Sequence, residues 1–135
     1  MNALNTAIYS RLQTTSAITS LLSGTAAIFY QQAPEGSAYP FIVFSTPSEL
    51  DENMTQNRTK NNVVFIRAYS GNSAAQAGSI DNAIDTALHL VPLTVSGWVN
   101  FWLAREQGVE LVETLPNEKN VFMQGANWRV RLDKS

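Results

Sequence analysis

The sequence predicts an α+β fold: an antiparallel β-sheet with two main helices packed on one face, in the order α-β-β-β-α-β-β. Three observations lead there. Apolar residues recur at helical spacing in two separate stretches, near the start of the chain and again around residues 73–88. Between and after those stretches lie runs of β-branched and aromatic residues bounded by Pro, Gly and Asn. The whole chain is 135 residues, close to the commonest size of one domain, so a single core is expected across 1–135.

Leu4, Ile8 and Leu12 recur every four positions with Ala7 beside them, which is one face of a first helix. Thr14, Thr15 and Ser16 interrupt it, and any of them can cap a second short helical piece carrying Ile18, Leu21 and Leu22. Gly24 is expected to end that piece in a left-handed conformation. Ala27–Tyr30 reads as a short strand, and Pro34-Glu35-Gly36 as the loop after it. Tyr39–Ser45 is a continuous apolar run with Pro40 at its entry, expected as a buried strand. Asn62–Tyr69 alternates, with Val64, Ile66 and Ala68 on one face and Val63, Phe65, Arg67 and Tyr69 on the other. Between these two strands, residues 46–61 carry no large apolar cluster and are expected as a long loop.

Asn72 or Ser73 opens the second main helix, whose face is Ala77, Ile80, Ile84, Ala87 and Leu88 and which stops before Pro92. A long hairpin then fills residues 93–133, turning at Pro116-Asn117-Glu118, with a bend expected at Gln107-Gly108. On its return arm Trp128, Val130 and Leu132 alternate with Asn127, Arg129 and Arg131, one dry face and one wet. Trp98 and Trp102 are expected on one side of the outgoing arm. Core packing accounts for at least two of the three tryptophans and an interface anchor for one.

Composition narrows the function. Charged residues make up 15% of the chain, against roughly 25% in an average soluble protein. Ser, Thr, Asn and Gln together number 42, so uncharged polar groups carry much of the surface. Charge depletion of this kind suits a surface covered by other protein. The formal net charge of −2 lacks the basic footprint of a protein that grips phosphates. There is no cysteine, which excludes disulfides, thiolate metal sites and a cysteine nucleophile. The opening MNALNTAIYSRLQ has neither a basic nor a long apolar region, so no signal peptide is expected, and no run of 18 apolar residues predicts a membrane helix. The chain is expected to be soluble and cytoplasmic.

Catalytic machinery is not expected, nor any cofactor or metal. The single histidine, His89, closes the second helix, where a dipole-compensating or capping role is the plain reading. Asp81 and Asp85, four apart, read as a solvated helix face with no third ligand for a cation. No G-x-S-x-G, G-x-G-x-x-G or G-x-x-x-x-G-K-[ST] occurs. Gly71-Asn72-Ser73 offers the amides of a helix start, a generic anion-binding property. Glu106, Glu110 and Glu113 lack any spacing that supports paired-carboxylate chemistry. Two sequons, Asn53-Met54-Thr55 and Asn57-Arg58-Thr59, carry no meaning without secretion.

What stands out is the segment 46–61, where the acids Glu49, Asp51 and Glu52 precede the bases Arg58 and Lys60. Such a bipolar loop is expected to let copies meet head to tail, acids of one against bases of the next; its alternative is a solvated hairpin extension. With it, the turn residues Pro116, Asn117, Glu118 and Lys119 complete the expected interface.

Taken together, several segments resemble the tail-terminator, or tail-completion (minor tail), proteins of long-tailed phages. They are Ala3-Leu4 through Arg11-Leu12, the Thr-rich break, Ala17 to Gly24, Ile28-Phe29-Tyr30, Tyr39 to Phe44, Val63 to Ser70, the alanine-rich helix and the final hairpin. The resemblance implies a subunit of a ring, hexameric in the family, at the head-proximal end of the tail tube. That ring stops tube polymerisation and joins the tail to the head. Implied partners are other copies of the chain, the major tail-tube protein and a head-completion, stopper or connector protein. DNA passes through the lumen without specific binding, and no membrane is involved. The implied location is the virion neck, with assembly in the host cytoplasm. Two alternatives remain: a head-completion or stopper protein at the same junction, and a small ligand-binding α+β domain.

Overall fold

The first helix, α1 (Asn2–Thr14), buries Leu4, Ala7, Ile8 and Leu12, the four residues whose spacing predicts it. A computed structural model describes residues 1–53, 56–117 and 119–135. After α1 come the one-turn α2 (Ser16–Thr19), then β1 (Ile28–Tyr30), β2 (Phe41–Glu52) and β3 (Thr59–Ser70). The second long helix, α3 (Ala74–Leu88), leads into β4 (Thr94–Val95), β5 (Trp98–Thr114) and β6 (Asn120–Lys134). The chain is thus a mixed α+β single domain.

The strands form one six-stranded sheet in the order β1-β2-β3-β6-β5-β4. Every pairing is antiparallel except β1 with β2, where Ile28, Phe29 and Tyr30 lie parallel to Ile42, Val43 and Phe44. The all-antiparallel expectation is corrected there: residues 31–40 carry the chain back to the start of the sheet instead of turning tightly. One cluster of buried residues joins Leu4, Ile8, Leu12, Ile80, Ile84 and Leu88 of the helices to Ile42, Phe44, Val64, Ile66, Trp128, Val130 and Leu132 of the sheet. Ser73 caps α3, its hydroxyl accepting the Gln76 N–H at 3.1 Å.

Other expectations need amending. Most of 46–61 is strand: β2 runs on to Glu52 and β3 begins at Thr59, so only a short tip separates them. Cross-strand charge pairs, described below, hold that extension in register without an apolar cluster. Gly24 does not take the left-handed conformation; α2 ends at Thr19 and its last amides are satisfied by short-range turns. The outgoing arm is broken near its start by a turn at Ser96-Gly97, where Gly97 has φ +81°, creating β4. β5 is bulged twice, between Asn100 and Trp102 and between Arg105 and Gln107. Each bulge inserts one residue and reverses the facing of everything beyond it.

Candidate assembly interface

The charged residues of 46–61 are placed by hairpin register: Glu49 opposite Asn62, Asp51 opposite Lys60, Glu52 opposite Thr59. Lys60 hydrogen-bonds Glu49 and lies 3.0 Å from Asp51. Arg58 lies 3.7 Å from Asp51. Arg131, reaching across from β6, donates to both oxygens of Glu52 at 3.1 and 3.0 Å. The acids and bases therefore pair within one chain. A head-to-tail exchange between copies would have to displace these partners, which are already in contact. Only 13% of the Lys60 side chain is exposed, whereas Arg58 is 63% exposed. The bond to Glu49 is the chief cause raising Lys60 above its ordinary pKa, and the bond from Lys60 is the chief cause lowering Asp51.

The other expected group sits at the far end of the sheet. Pro116, Asn117 and Lys119 are exposed at the β5–β6 tip, where Leu115 N–H donates to Lys119 O at 2.8 Å. Asn117 Oδ1 accepts the Lys119 N–H at 3.2 Å. Glu118 lies outside the described residues. The tip faces the 33–39 loop across an open cleft lined by Ala33, Pro34, Tyr39, Phe41, Leu115 and Asn117. The register fixes the geometry: Thr59 pairs with Asp133 at one end of β3 and Ser70 with Phe122 at the other. The β2–β3 tip and the β5–β6 tip therefore leave the sheet at opposite ends, and the sheet does not bring the two expected groups together.

The sheet face away from the helices carries Val63, Phe65, Arg67 and Tyr69 of β3 beside Asn127, Arg129 and Arg131 of β6. Its guanidinium groups are engaged. Arg67 donates to Ala126 O and Asn127 Oδ1 at 2.8 and 2.9 Å and lies 4.6 Å from the Phe65 ring. Burial is the main cause lowering its pKa. Arg129 bonds Glu106 and Asn61, and Arg131, besides holding Glu52, sits 5.4 Å from the Phe101 ring. Trp102 lies on this face, 46% exposed. The bulge before it places Trp98 on the helix side, against the core, with the Lys134 ammonium 4.9 Å from its ring. Sequence alternation alone put the two on one side; the structure separates them. Trp128 is fully buried.

The other candidate groups are engaged within the fold. The Ser70 hydroxyl accepts the N–H groups of Asn72 and Ser73 at 3.1 and 3.3 Å, occupying the amides that an anion would need. His89 is the residue ending α3, and its Nδ1 accepts the Arg105 N–H at 3.1 Å. Asp81 is not on a solvated face. It is 6% exposed and holds the Arg105 guanidinium through two bonds, at 2.9 and 2.7 Å. The signal for this was present in the sequence, since Asp81 falls four residues after Ala77 and one after Ile80, inside the apolar stripe. Among the described residues no three His, Asp or Glu side chains come together to hold a metal.

Comparison with known proteins follows the same lines. The sequence model of the family described as tail completion protein gp17 matches residues 6–124. A chain from the virion of a native gene transfer agent particle shares the fold at TM-score 0.72 and 18% identity, covering 98% of this chain and 96% of that one. A second solved chain matches at TM-score 0.61 and 12% identity, covering 99% and 94%. No curated protein matches the sequence significantly. With a family match across most of its length and the fold to accompany it, the chain belongs to the tail completion protein gp17 family.

Proposed function

We propose that the protein forms a closed ring of copies at the head-proximal end of a tail tube, where it ends tube polymerisation and presents the surface to which a filled head is joined. Family membership makes it a structural protein of a phage-like tail, assembling with other tail and head proteins. The finer role rests on one observation: the two hairpin tips leave the sheet at opposite ends. A ring seated between tube and head must show a different surface to each, and copies arranged head to tail about one axis do so. In this reading the ring is a hexamer, with the major tail-tube protein on one side and a stopper or connector protein on the other. The exposed contact residues would be Arg58 at one end, Pro116, Asn117 and Lys119 at the other, and Trp102 on the open face as an aromatic anchor. DNA would pass without being held. The guanidinium groups of the open face are already bonded to protein groups, which supports that reading.

Electron microscopy of lysates from a phage lacking this gene tests the role. Overlong tubes beside filled, tailless heads are the expected result. Tails of normal length left unjoined would move the protein to the head side as a stopper, and normal infectious particles would refute both.

A further inference from the structure

We infer that copies of this chain join through their sheet edges, the free outer edge of β5 over Glu106–Thr114 pairing antiparallel with the outer edge of β1 in the next copy. The inference deepens the ring reading and rests on it. Both ends of the sheet are edges of unequal kind. At one, β4 and the His89–Leu90 corner cover the start of β5: β4 pairs at Trp98 and Val99, Leu90 N–H donates to Leu103 O at 2.7 Å, and His89 takes the Arg105 N–H. Beyond Arg105, the described residues supply no backbone partner on that side for nine more residues of strand. The Leu115–Lys119 bond sets the alternation of the β5–β6 ladder. It turns the N–H and C=O groups of Gly108, Glu110, Val112 and Thr114 outward. This stretch has neither Pro nor Lys, the usual devices that blunt an edge, and Leu111 and Val112 stand exposed on it. At the other end of the sheet β1 pairs with β2 alone: Ile28 turns its N–H and C=O outward, as does the N–H of Tyr30, whose C=O accepts the Gln32 N–H at 2.8 Å.

Three features select the occupant. The first is level. Following register across the sheet, Ile28 aligns with Ile42, Ala68, Gln124 and Glu110, and Tyr30 with Phe44, Ile66, Ala126 and Gly108. The free part of β5 thus lies level with β1, and copies related by rotation about an axis along the strands bring the two edges together without a step. The second is direction. β1 runs with β2, β2 against β3, β3 against β6 and β6 against β5, so β1 and β5 are antiparallel and the joined sheet continues in the more stable sense. The third is charge. Pairing β5 with a second β5 about its middle would set Glu110 against Glu110 with Glu106 and Glu113 close by, whereas β1 offers Ile28, Phe29 and Tyr30 and no charge. The contact is therefore between unlike edges, the kind that closes a ring.

Two sets of variants of the full chain test this, read by light scattering and by non-reducing gels. Glu110→Pro removes one outward N–H and no ladder bond within the chain, so it is expected to abolish the oligomer while leaving the melting temperature within a few degrees. Glu110→Ala, which keeps the N–H, should assemble as the parent does. The chain has no cysteine, so Tyr30→Cys with Gly108→Cys is expected to give an oxidised ladder ending at the closed ring. Neither single variant should give one. An oligomer that survives Glu110→Pro and yields no ladder would overturn the edge contact and leave the ring standing. Disulfide dimers from Glu110→Cys alone, which a β5–β5 contact centred there would bring face to face, would overturn it in favour of like-edge pairing. A parent chain that stays monomeric at every concentration would overturn both.

Discussion

Replacing Arg105 by leucine is expected to destabilise the fold by about 3 kcal/mol, a cost derived from the burial of its partner. Asp81 is 6% exposed on the core side of α3, and Arg105 meets it with a two-pronged grip at 2.9 and 2.7 Å. The bond to Asp81 is the chief cause raising the pKa of Arg105, which holds the guanidinium charged beside it. Removing one partner of a buried pair costs roughly 3–5 kcal/mol, because the other charge is left without compensation. The Arg105 side chain is 25% exposed, so some water reaches the site and the lower figure applies. For a domain of this size about 3 kcal/mol is a fall in Tm of roughly 10–15 °C. Urea titration should show the same loss with an unchanged slope. The partner test is Asp81→Leu together with Arg105→Leu, which removes both charges and should return to within about 1 kcal/mol of the parent. A single variant that loses less than about 1 kcal/mol, or a double variant as unstable as the single, would refute the reasoning.

Further outcomes are expected elsewhere. Gly125→Ala should destabilise by about 3 kcal/mol or more by thermal melting, since a Cβ there would stand 2.2 Å from Ile66 O and 2.8 Å from Arg67 Cα, backbone atoms of β3 that cannot swing away. Asp51 has its pKa lowered by Lys60. Its contribution is therefore present above the ordinary carboxyl value of 3.8 and is lost as pH falls through the lower folded value. Amide exchange at Thr59–Asn61 should quicken there, and Lys60→Met should remove that pH dependence. Reversing Lys60 to Glu would break contacts within its own hairpin, so Arg58→Glu is the cleaner probe of assembly. It should shift stability by less than about 0.5 kcal/mol, checked by melting, while reducing ring yield in light scattering. Trp102→Ala should behave likewise, and the fluorescence of Trp102 in the parent should move to shorter wavelength on assembly.

The α3 face and the alternation of β3 and β6 were legible because each rests on a local period that packing reinforces: Ile80, Ile84 and Leu88, or Val64, Ile66 and Ala68, are buried where the pattern puts them. What the sequence did not reveal depended on distant partners. The bulge at Glu106 is marked by the adjoining Gln107-Gly108, but the one at Phe101 carries no Gly or Pro, so the opposite facing of Trp98 and Trp102 had no local signal. Residues 46–52 lack the apolar alternation of a predicted strand, Leu50 being exposed, and are held by Lys60 and Arg131 across the sheet. The parallel placement of β1 follows from where β2 already lies, and although the apolar stripe marks Asp81 as buried, its partner Arg105 emerges only from the packing of α3 on β5. The two groups of expected contact residues were legible as charged or turn-forming segments; their placement at opposite ends required the register.

The strand order also bears on how the chain comes to be folded. β6 follows every other element along this chain, yet it lies inside the sheet, between β3 and β5, and α3 packs on it. Without residues 120–134, β3 and β5 have no strand between them, and Trp128, Val130 and Leu132 are missing from the core. Joining them demands contacts between residues far apart in sequence, the kind that form slowly. The sheet, and with it the spacing of its two outer edges, is therefore complete only once β6 has been inserted between β3 and β5.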